Sequence, residues 1–125
     1  MNPSDFTLLV VDDEELIREC IRDILKSRYD ILEAEGVDSG IESMSANTVD
    51  LVILDIKMVG KDGIEFLREI KKTKVSRSKT LICSGYYEEE GVKRRIKDAL
   101  PTAHYIKKPF FPEDLTEKVR DLIGS

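Results

Sequence analysis

The chain has no tryptophan, one histidine, two cysteines and four prolines among its 125 residues. Two cysteines cannot staple a small domain, so stability must come from a hydrophobic core. Cys20 and Cys83 are read as reduced, buried thiols. No Cys or His lies at zinc-ligand spacing. Long apolar runs are missing too. Thr7–Val11 and Leu51–Leu54 are the longest, far short of the roughly 20 residues that cross a bilayer. The opening residues Met1–Asp5 are polar and no basic segment precedes an apolar one, so no secretory leader is expected and the assignment is cytoplasmic, without membrane contact. A basic surplus is absent as well: net charge is −5, which argues against a non-specific nucleic-acid binder. Neither a phosphate-binding glycine loop of the Walker type nor a dinucleotide fingerprint occurs.

What remains is one domain's worth of chain, 41% hydrophobic and 36% charged, enough to bury a real core. The whole of 1–125 is read as a single domain. Apolar runs alternate with helical patterns five times. Thr7–Val11, Asp30–Ala34, Asp50–Leu54, Thr80–Cys83 and Ala103–Ile106 read as strands. Between and after them come helical repeats. Glu14–Lys26 carries Leu16, Ile17, Cys20, Ile21, Ile24 and Leu25 as one stripe. Val37, Ile41 and Met44 mark the second helix, Ile64, Leu67 and Ile70 the third, and Val92, Ile96 and Ala99 the fourth. The last opens at Pro112 with Glu113 and Asp114 in its first turn. Five βα units imply an α/β fold, a doubly wound five-stranded parallel sheet with helices on both faces. The second and fifth strands, one alternating and one short, are the expected edges.

Ligands of such sheets bind beyond the carboxyl ends of the strands. The residues there are Asp12 and Asp13 after the first strand, Asp55 after the third, Ser84 after the fourth, and Lys107, Lys108 and Pro109 beyond the fifth. Three carboxylates together repel unless neutralised. A hard divalent cation and Lys108 are the expected neutralisers. Oxygen-only ligands point to Mg²⁺, with Mn²⁺ as a substitute. The plainer reading, acidic loop ends that face water or cap helices, fits any one of these residues better than it fits the set. A rigidly held carboxylate beside a cation and a lysine is suited to attack a phosphoryl group and form an acyl phosphate.

The segments VVDDEE (10–15), LVILDIKMVGKDGIEFLREIK (51–71), LICSG (81–85) and YIKKPF (105–110) together resemble the receiver domain of two-component response regulators, in order and over essentially the whole chain. That resemblance implies a flavodoxin-like (βα)₅ fold of strand order 2-1-3-4-5. It implies Asp55 as phosphoacceptor, and Asp12, Asp13, Asp55 and the backbone carbonyl of Lys57 as Mg²⁺ ligands. Ser84, Gly85 and Lys108 would bind the phosphoryl group, with Ser84 and Tyr105 as the switch pair and Pro109 following a cis bond. Lys57 and Tyr86 hold the positions that tune dephosphorylation, which the tyrosine is expected to make slow to moderate. Val59 and Gly85 depart from the residues most common in the family.

The implied partners are a sensor histidine kinase or a histidine phosphotransfer protein, and a downstream protein or output domain that meets the fourth helix, fifth strand and fifth helix. A homodimer through that face belongs to the same implication. The basic cluster Lys93, Arg94, Arg95 and Lys97 lies on it and reads as a partner contact or a solvated face rather than a nucleic-acid site. His104 reads as structural rather than as a relay histidine. Two other readings stand beside the switch: a receiver-like module that binds partners without being phosphorylated, and a phosphatase using Asp55 in turnover. The latter needs a second acid two residues on, where Lys57 stands, so the chain is expected not to be an enzyme. Cys83-Ser84-Gly85 lacks the downstream arginine of a cysteine phosphatase loop.

Overall fold

A computed structural model describes residues 6–55, 63–72, 79–84 and 90–123. Its elements alternate without exception: β1 (Thr7–Val11), α1 (Glu15–Leu25), β2 (Asp30–Ala34), α2 (Val37–Ala46), β3 (Leu51–Asp55), α3 (Gly63–Lys72), β4 (Lys79–Ser84), α4 (Glu90–Ala99), β5 (His104–Lys107) and α5 (Pro112–Ile123). The five strands form one parallel sheet in the order β2-β1-β3-β4-β5, with β2 and β5 at the edges as expected.

Successive side chains on a strand point to opposite faces, so an apolar run fills two cores at once. Leu9, Val11, Val52, Leu54 and Ile82 pack against α2, α3 and α4, through Val37, Met44, Phe66, Leu67, Ile70 and Ile96. Leu8, Val10, Leu51, Ile53, Leu81 and Cys83 face α1 and α5, through Ile21, Leu25, Leu115, Val119 and Leu122. Every strand residue from Leu8 to Val11 and from Leu51 to Leu54 is essentially unexposed.

Element ends shift by a residue from the sequence expectation. Asp50 precedes β3 because it brackets β1: its N–H donates to the Thr7 carbonyl at 2.8 Å and its Oδ2 accepts from the Thr7 N–H at 2.8 Å. Asp55 is therefore the last residue of β3 instead of the first beyond it. Likewise β5 runs His104–Lys107 and α1 Glu15–Leu25, with Glu14 and Lys26 as its caps.

One expectation about thiols is corrected. Cys83 is buried, but Cys20 is exposed, and Leu16 is 77% exposed. The stripe that α1 turns inward is Ile17, Ile21, Ile24 and Leu25, narrower than the six-residue stripe read from the sequence. Residues 16 and 20 stand one position off it, on the outer flank.

Gly40 marks where α2 comes closest to its neighbours. A Cβ there would lie 2.5 Å from Phe66 Cε2 and 3.3 Å from Val11 Cγ2. Phe66 is fully buried and has nowhere to retreat. Alanine is the better helix former by roughly 1 kcal/mol, yet overpacking here outweighs that. Gly40→Ala is expected to lose about 1–3 kcal/mol in urea unfolding; a midpoint at or above wild type would contradict this packing.

Candidate functional site

The site is a consequence of strand register. Val11 of β1 pairs with Leu54 of β3, so Asp12 stands one step beyond β1 beside Asp55. Asp55 pairs with Cys83, and Cys83 with Ile106. One row across the sheet thus carries Asp12, Asp55, Cys83 and Ile106, with Asp13 and Lys108 just past it. The row crosses the gap between β1 and β3, where the strand order reverses and successive crossovers diverge to opposite faces.

Asp12, Asp13 and Asp55 each present a carboxylate oxygen within 4.8 Å of the other two. Lys108 Nζ lies 3.6 Å from Asp12 Oδ2 and 3.9 Å from Asp55 Oδ2. Lys108 follows β5 directly, and its bond to Pro109 is cis. Asp12 is 2% exposed, an ionisable group at the lip of the core. Its Oδ1 accepts from the Glu14 N–H at 2.9 Å. Burial nevertheless pushes its pKa above the ordinary carboxylate value; the Glu14 N–H and Lys108 oppose the shift, and the charges of Asp13 and Glu14 add to it.

The neighbouring thiol is buried. Burial pushes Cys83 up to about 12, with Asp55 and Asp12 raising it further and Lys108 opposing. The thiol is therefore protonated at neutral pH.

The three carboxylates suit a hard divalent cation. Opposed ligands of an octahedral Mg²⁺ stand about 4 Å apart, given metal–oxygen distances of about 2.0–2.1 Å. Only one pair among three ligands can be opposed and the others stand about 2.9 Å apart, so the three oxygens, now within 4.8 Å of one another, would draw in around an ion. The donors are all oxygen.

The sequence-derived residues do not all come together. Asp12, Asp13, Asp55 and Lys108 converge. Tyr105 lies on β5 and is 40% exposed, on the edge of the sheet rather than in the acidic group. Lys57, Val59, Gly85 and Tyr86 lie outside the described residues. Ser84 ends β4, and its hydroxyl also lies outside what is described. His104 is exposed on β5, away from the carboxylates. Arg94, Arg95 and Lys97 are exposed on α4.

One contact was not anticipated from the sequence. Arg18 Nη1 donates to the Asp12 carbonyl at 2.6 Å, and its Nε lies 3.4 Å from Glu33 Oε1. The available signal is Arg18 and Arg22 four residues apart on α1, with Glu33 on the neighbouring edge strand.

Removing Lys108 should act in two opposite ways. In metal-free protein the carboxylates lose their counter-charge, and Lys108→Ala is expected to lower stability by about 1–2 kcal/mol, a value discounted for the lysine's partial exposure. A cation then meets less repulsion, so Mn²⁺ should bind at least about threefold tighter. Calorimetric titration checks the second effect; weaker binding would show that Lys108 supports the cation site instead of competing with it.

Comparison with known proteins covers nearly the whole chain. The profile of the response regulator receiver domain matches residues 8–120. The chain is 32% identical over 117 residues to the chemotaxis protein CheY of Halobacterium salinarum, covering 93% of this chain and 95% of that protein. It is 38% identical over 117 residues to the transcriptional regulatory protein ResD of Bacillus subtilis, covering 93% of this chain but only 47% of that regulator. Among solved structures, a CheY-like response regulator receiver domain protein from Methanospirillum hungatei superposes with a TM-score of 0.86 at 26% identity, over 95% of this chain and 94% of that one. The chain therefore spans nearly all of one curated relative and about half of the other.

Proposed function

The chain belongs to the response regulator receiver domain family of two-component systems, and on that premise we propose that it is a cytoplasmic phosphoacceptor switch whose acceptor is Asp55. The observation that carries the reading is the convergence of the Asp12, Asp13 and Asp55 oxygens within 4.8 Å, with Lys108 Nζ at 3.6 and 3.9 Å from two of them.

A carboxylate oxygen of Asp55 attacks the phosphorus of a phosphohistidine or a small acyl phosphate. The new P–O bond forms as the donor's P–N or P–O bond breaks, and the departing imidazole or carboxylate keeps the electron pair. Asp55 suits this work because β3 holds it rigidly while its carboxylate reaches the rim. Asp12, Asp13, Asp55 and the backbone carbonyl of Lys57 would hold Mg²⁺, which supplies positive charge for the phosphoryl oxygens. Lys108 would pair with one of those oxygens once Asp55 is phosphorylated. Ser84 and the Gly85 backbone would bind another.

The phosphoryl group brings new charge and strong acceptors to the sheet's end. Ser84 moving toward it would leave room for Tyr105 to turn inward from the exposed position it holds here. That movement would reshape α4, β5 and α5, the face we assign to a downstream protein, an output domain or a second copy. The shift is bounded by the difference in interaction energy between the two states. Lys57 and Tyr86 would set the rate at which water removes the group, giving a self-catalysed return and no turnover of an external substrate.

The test is transfer from a panel of autophosphorylated histidine kinases, with acetyl phosphate as the small donor, read by intact mass. One added phosphoryl group, dependent on Mg²⁺ or Mn²⁺, is expected. An unchanged mass under every donor and metal would favour a module that binds partners without phosphorylation.

A further inference from the structure

Asp12 is tied to the edge strand β2 through both ends of its main chain. Its N–H donates to the Ala34 carbonyl at 3.1 Å, one more rung on the β1–β2 ladder. Its carbonyl, where that ladder ends, accepts from Arg18 Nη1 at 2.6 Å. Arg18 in turn is aimed by Glu33, the residue before Ala34, at 3.4 Å. The other Glu33 oxygen is held by Arg22 Nη1 at 2.9 Å. The Arg18 side chain is only 14% exposed. A charge-assisted bond from a planar guanidinium thus replaces the missing main-chain donor.

The carbonyl that Arg18 holds belongs to the peptide joining Asp12 to Asp13. Fixing that peptide plane fixes where the Asp13 side chain begins, and Asp13 lies outside β1. Three carboxylates that repel one another will splay unless the backbone beneath them is held. We propose that Arg18, aimed by Glu33 with Arg22 behind it, is a positioning residue that holds the Asp12–Asp13 peptide in cation-binding geometry. This deepens the phosphoacceptor reading and rests on its cation site.

The relay lines an open cleft of about 400 Å³ between α1 and β2, so its side chains can be exchanged without opening the core. The experiment is calorimetric titration of Mn²⁺ into the purified full chain and its variants, beside thermal melts in EDTA and phosphoryl uptake from acetyl phosphate. Arg18→Ala should raise the Mn²⁺ Kd about tenfold, the scale typical of groups that orient ligands. Glu33→Gln should raise it less. Arg18→Lys should fall between wild type and alanine, because an ammonium can reach the carbonyl or Glu33 but cannot fork to both. Phosphoryl uptake at limiting Mg²⁺ should fall in the same order as the affinities.

A lowered melting temperature with an unchanged Kd would overturn the proposal and leave Arg18 a packing residue. So would an Arg18→Lys variant no better than alanine. If Arg18→Ala does not fold, Glu33→Gln and Arg18→Lys carry the test by the same criteria. Wild type that binds Mn²⁺ yet takes no phosphoryl group would sink the phosphoacceptor reading and leave the relay standing. Wild type that binds no Mn²⁺ at millimolar concentrations would sink both.

Discussion

Asp55→Asn is expected to abolish phosphoryl uptake from every donor, a loss of at least about a thousandfold. An amide oxygen carries no full negative charge and is a poor nucleophile toward phosphorus. The substitution is otherwise mild. Asn keeps the shape of the side chain at the end of β3, and Asp55 is only partly buried. It removes one of three mutually repelling charges, so the metal-free variant should fold at least as well as wild type. That separates lost chemistry from a lost fold. Equal labelling of wild type and Asp55→Asn, read by intact mass, would move the acceptor to another residue.

Asp12→Asn should separate stability from cation binding. Burial raises the Asp12 pKa above 3.8 in the folded chain, so the folded state holds this proton at a pH where the unfolded chain has released it. The contribution of this group is therefore favourable below about 3.8 and is lost as pH rises through the raised folded value. At pH 7 without metal the ionised group costs stability even after the Glu14 N–H and Lys108 have compensated part of its burial. Asparagine removes that charge and keeps an acceptor for the Glu14 N–H. The metal-free variant is expected to be more stable than wild type by on the order of 1 kcal/mol at pH 7, with a flatter pH profile. Mg²⁺ should reverse the order. A saturating ligand stabilises wild type by RT ln(1 + [L]/Kd), about 2.7 kcal/mol at a hundred times Kd, and should do little for the variant. Melts at pH 5 and pH 7, with EDTA and with Mg²⁺, check all of these. A variant less stable than wild type in EDTA at pH 7 would mean that the charge on Asp12 stabilises the apo fold.

The strands and the acidic rim were legible because both are encoded locally. Leu8–Val11 and Leu51–Leu54 are apolar without alternation, as only a strand covered on both faces can be. Asp12, Asp13 and Asp55 stand at the ends of such runs, and a parallel sheet brings those ends together. Contacts that depend on how elements pack were not legible. Gly40 reads as an ordinary small residue until Phe66 is seen filling the space its side chain would take. Thr80 is a buried strand residue whose Oγ1 has no hydrogen-bond partner among the described residues, and a threonine in an apolar run looks unremarkable. Leu16 and Cys20 read as part of the buried stripe of α1 because a helical wheel gives the centre of that stripe more securely than its width. Arg18 escaped notice because its partners, Glu33 and the Asp12 carbonyl, are a strand and a turn away. A side chain that bonds to main chain leaves no mark in residue type.

The shared cation is best tested by counting it. Mn²⁺ titrated into metal-free wild type should bind at one site per chain, and Asp12→Asn, Asp13→Asn and Asp55→Asn should each weaken that site by at least about tenfold. A site that survives replacement of all three carboxylates, or wild type that takes up no ion at millimolar metal, would contradict the account.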